Sequence, residues 1–121
     1  MEDVDFSDEF CRFVQTQLPS VDAAELLLAL YRSPDASWQE VLTAVPGLDE
    51  PAAARQLEGF RAGGLLDAEL RYRPASEELA RHVATLAQAY EQRPVTLVRL
   101  VYALRDRKIR SFAGAFKLRK D

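Results

Sequence analysis

Four side chains in the middle of the sequence carry the donors and acceptors that base recognition uses: Arg55, Gln56, Arg71 and Arg73. An arginine fork fits the major-groove edge of guanine and a glutamine amide that of adenine, while further arginines neutralise phosphates. A second set closes the sequence: Phe112 and Phe116, four apart, with Lys117, Arg119 and Lys120. Apolar knobs one helical turn apart beside cations suit either a peptide that fills a partner's groove or a segment that closes the chain's own core. Constellations for catalysis or metal binding are absent from the pattern. His82 is the only histidine, and with Glu78 it has ligand spacing, but two ligands without a second histidine or a nearby cysteine do not make a zinc site. On helical spacing His82 falls opposite Leu79, Val83 and Leu86, so it is expected in solvent. Cys11 lies among acids, which disfavour its thiolate. Gly63-Gly64 comes after a helical pattern instead of leading into one, so it is no phosphate loop. The expectation is a chain with no catalytic residues, no metal and no cofactor.

The elements that position Arg55 to Arg73 can be read from spacing. Asp49 can cap a helix in which Ala53, Leu57 and Phe60 form one apolar stripe, and Gly63-Gly64 stops it. Leu65-Leu66 then reads as a short strand, Asp67-Ala68-Glu69 as a turn, and Leu70/Tyr72 alternating with Arg71/Arg73 as the return strand. Upstream, Ser20 caps a helix with the stripe Val21, Ala24, Leu27, Leu28 and Tyr31, stopped at Ser33-Pro34. Ser37-Trp38-Gln39-Glu40 is a capping box opening a short helix with Trp38, Val41, Leu42 and Val45 inward, broken at Pro46-Gly47. The order is helix, short helix, turn, helix, hairpin, which is a helix-turn-helix with a wing after it.

Flanking elements surround this unit. Phe6, Phe10, Phe13, Val14 and Leu18 place a helix over 5–18, ending at Pro19. Its three phenylalanines need cover, supplied either by folding back or by a second subunit. After the hairpin, Ser76 opens a long helix with Leu79, Val83, Leu86 and Tyr90 as a heptad-like seam. Residues 95–104, VTLVRLVYAL, are apolar nearly all round; a buried strand fits that run, and a helix fits better because Arg99, Ala103, Asp106 and Arg110 leave one polar stripe. The chain reads as a single domain over 1–121. An N-terminal helical extension covers 1–19, the core 20–75, and C-terminal helices with a basic tail 76–121.

Composition narrows the classes further. The 121 residues are 48% hydrophobic and 29% charged, as in an ordinary soluble domain. A single cysteine points to a reducing compartment, and neither a secretory leader nor a run of ~20 apolar residues is present, so a cytoplasmic protein without membrane spans is expected. The net charge of −3 hides a polarity: residues 1–92 carry seven Lys or Arg against seventeen Asp or Glu, whereas residues 93–120 carry nine against Asp106 alone. Such blocks either meet within a fold or dimer, or leave a basic surface for an anionic partner.

The run AAARQLEGFRAGGLL, Ala52 to Leu66, resembles the third helix and first wing strand of bacterial winged-helix regulators of the MarR and PadR kind. Their Leu-x-x-Leu-x-x-x-Gly-Leu pattern stands here as Leu57, Phe60, Gly64 and Leu65, and the resemblance covers roughly residues 20–75. The chain as a whole also resembles small bacterial winged-helix proteins that bring no function with them. The resemblance implies a mainly α fold, a winged helix-turn-helix with a three-helix core and a short β-hairpin, plus an N-terminal helix and two C-terminal helices acting as dimerising arms. It further implies a non-enzymatic homodimer that regulates transcription by binding double-stranded DNA through Arg55, Gln56, Arg71 and Arg73. Asp49, Glu50 and Glu58 depart from that role, because they set the wrong sign against phosphates. The alternative is an adaptor that binds protein through its acidic face or its basic Phe112–Lys120 tail.

Overall fold

The computed structural model describes residues 6–104. Five helices run α1 (Asp8–Gln17), α2 (Val21–Arg32), α3 (Trp38–Leu42), α4 (Glu50–Ala62) and α5 (Glu77–Gln92). A further helix, α6, is described over 94–104. Each of the first five begins where a short polar side chain takes an orphan amide of the first turn. Ser7 accepts from Phe10 N at 3.0 Å, Ser20 from Ala23 N at 3.1 Å, Asp49 from Ala52 N at 2.9 Å and Ser76 from Leu79 N at 3.2 Å. At α3 the capping box closes reciprocally, Ser37 accepting from Glu40 N and Glu40 Oε1 from Ser37 N. The first helix therefore opens at Asp8, after the Ser7 cap, and not at residue 5.

α2 is the hub. Ala23, Ala24, Leu26, Leu27, Leu28 and Leu30 are all buried, well beyond a single stripe, because α3 and α5 pack on it and the remaining core surrounds it. Tyr90 ties α5 to α2 with a 2.7 Å hydrogen bond from its hydroxyl to Glu25 Oε2. The N-terminal phenylalanines fold back: Phe6, Phe10 and Phe13 are 7%, 2% and 5% exposed and belong to the same core as Leu57, Phe60 and Leu86. The Arg93 guanidinium, at the junction of α5 and α6, sits 5.1 Å over the Phe6 ring. Residues 94–104 settle the strand-or-helix alternative as helix, with Leu97, Val101 and Leu104 buried.

The β-hairpin wing is not formed, and with it the expected winged helix-turn-helix is overturned. Among the described residues there is no β-strand; beyond α4 the chain makes one isolated antiparallel bridge, Leu66 opposite Tyr72. Local chemistry confines the pairing to that residue pair. Two hydrogen bonds frame it, Asp67 N to Arg71 O and Arg73 N to Leu65 O, both 3.0 Å. On the loop side the Asp67 carboxylate accepts from Glu69 N and Arg71 N, and Leu70 adopts φ 63°, so the chain turns at once. On the open side Gly64 sits at φ 85°, a conformation only glycine takes without strain, and Pro74 has no N–H to extend a ladder. Ala75 N instead closes onto Gly64 O at 2.7 Å. The segment is held by packing: Leu65 and Leu66 are buried, and Tyr72 meets Tyr31 edge-on at 5.4 Å.

Candidate interaction surfaces

The side chains singled out for base and phosphate contact occupy different settings. Arg55 is exposed on α4, and Arg71 and Arg73 are exposed on the bridge segment; among the described residues none of the three is in an ion pair. Gln56 is half-buried and turned toward the chain's own N-terminal helix, its Nε2 donating to Gln17 O at 3.5 Å. Gln17 in turn donates through Nε2 to Gly63 O at 3.3 Å, so the end of α1 is stitched along α4. A Cβ at residue 63 would meet the Gln17 amide, which would have to swing aside.

The outward side of α4 has little else to read a groove with. Its exposed positions include Ala54, Gly59 and Ala62, which carry no donors, and Glu50 and Glu58, which repel phosphate. Arg61 is committed to Glu58, with Nε 3.0 and 2.9 Å from the two carboxylate oxygens and Nη2 2.8 Å from Oε1. That hydrogen bonding lowers the Glu58 pKa and raises that of Arg61. Phe112, Phe116, Lys117, Arg119 and Lys120 lie outside the described residues.

His82 is not in solvent. α1 packs on α5, and the imidazole stacks on Phe13 at 5.1 Å between ring centroids and lies 6.1 Å from Phe10. Its Nε2 is 3.9 Å from Glu78 Oε2. The expectation of a solvent-facing residue opposite the seam is corrected: His82 follows Leu79 by three and precedes Leu86 by four, so it lies at the edge of the leucine seam, where α1 covers it. Among the described residues, no group of three or more His, Cys, Asp or Glu side chains is arranged to hold a metal ion. A cleft of about 270 Å³ between α1 and α5 is lined by Glu9, Arg12, Phe13, Glu78 and His82 among others, one arginine beside two carboxylates. Two hollows of about 140 and 370 Å³ adjoin across α2 and share Ala29, Arg32 and Ala44.

The feature that sequence reading passed over is on α6. Among the described residues, the exposed large hydrophobics are Val95, at 62%, and Tyr102, at 53%. They are seven apart, hence two turns along one face, with exposed Arg99 between them and half-buried Val98 at their flank. Leu97, Val101 and Leu104 point the opposite way into the core. A helix apolar all round needs cover on every side. The described residues cover one side of this one. The available signal was the nearly all-apolar VTLVRLVYAL run; a helix whose polar positions over these residues are Thr96 and Arg99 has more apolar surface than one contact face uses.

No helix among the described residues is long and apolar enough to cross a membrane. Compared with known protein families, curated proteins and solved structures, the chain has no match.

Proposed function

We propose that the protein is a non-enzymatic, cytoplasmic protein-binding module whose working surface is the outer face of α6. The observation that carries this reading is the pair Val95 and Tyr102, large apolar side chains that are exposed among the described residues, opposite the buried side of their own helix. Exposed tyrosine beside an aliphatic residue is typical of the anchor positions of protein interfaces, where an amphipathic ring buries much area with few rotors to fix.

A second reading, transcriptional regulation through duplex DNA, is favoured by the three arginines Arg55, Arg71 and Arg73, which lie exposed and free of ion pairs among the described residues. One experiment with two arms separates them. A photo-crosslinking residue placed at Tyr102 is expected to capture a discrete protein in cells, whereas the same residue at Arg55 is not. Titration with mixed-sequence duplex at about 50 and 200 mM salt is expected to show no tight, steeply salt-dependent binding. Duplex binding that collapses with salt and with Arg55→Glu, together with an empty crosslink at Tyr102, would replace the first reading with the second.

A further inference from the structure

We draw no further inference here: the strongest candidate, the pair of adjoining hollows across α2 that share Ala29, Arg32 and Ala44, is an open groove with small-residue walls around an arginine that already faces Glu91 at 4.0 Å, and nothing among the described residues shows what covers it.

Discussion

Replacing Phe10 with alanine asks whether α1 is part of the core or an extension laid over it. Phe10 is 2% exposed, with Phe6 at 5.3 Å, Phe13 at 6.2 Å and His82 at 6.1 Å between ring centroids. Removing a fully buried phenyl ring forfeits its transfer free energy and leaves a cavity, together about 3–5 kcal/mol. Against a total of about 5–15 kcal/mol for a typical domain, that is a large share of the stability. Urea unfolding should be monitored by two probes. Far-UV circular dichroism reports all helices, and fluorescence of Trp38, the single tryptophan, reports α3. The expected result is one transition, coincident by both probes, with its midpoint lowered in Phe10→Ala and its slope unchanged. A loss below about 1 kcal/mol would refute the reasoning. So would an early loss of helicity that leaves Trp38 unmoved, since α1 would then melt alone.

Three further outcomes stem from the same geometry. Gly64→Ala is expected to destabilise by about 1–2 kcal/mol, because φ 85° strains any side chain and the new Cβ would crowd Leu79 Cδ1 at 3.3 Å; a neutral result in urea titration would contradict the left-handed turn. A double-mutant cycle between Phe13→Ala and His82→Ala should return a coupling of about 0.5–1.5 kcal/mol for the stacked pair, and additivity would disprove the stack. Tyr90→Phe should cost about 1 kcal/mol, the low side for a hydrogen bond to a charged group because the pair is half-exposed. The Tyr90 pKa is raised, first by the Glu25 hydrogen bond and then by burial, and that of Tyr72 is raised by burial and then by Tyr31. Both phenols thus favour the protonated form when folded. Their contribution is complete below the ordinary tyrosine pKa of about 10 and is lost as pH rises through the raised values. Stability measured from pH 9 upward should fall, and less steeply in Tyr90→Phe.

Helix starts were the most legible part of the sequence, because each depends on one or two adjacent residues. Ser20, Ser37, Asp49 and Ser76 all cap where their side chains predict. Interior faces were legible only where a helix has one covered side. α4 buries Ala53, Leu57 and Phe60 as its spacing requires, whereas α2 buries six of its twelve residues, more than one stripe, because it sits at the centre. The alternating run Leu65 to Arg73 misled for a definite reason. Alternation reports which side chains face inward, not whether enough backbone pairs to make strands, and here the Asp67 turn and Pro74 stop the ladder after one bridge. The candidate surface on α6 was not legible at all. Its residues look like core, and composition cannot tell which half of an all-apolar helix the fold will leave uncovered.

The seat of α1 has a consequence for how the chain is made. Its phenylalanines rest on His82, and Gln17 reaches Gly63 and Gln56, so α1 meets α4 only after the ribosome has added about forty more residues and His82 only after about seventy. At about 5–20 residues per second the longer interval is on the order of ten seconds. Until α5 has emerged, Phe10 and Phe13 lack the His82 ring they pack against, so the apolar face of α1 stays partly uncovered on the nascent chain.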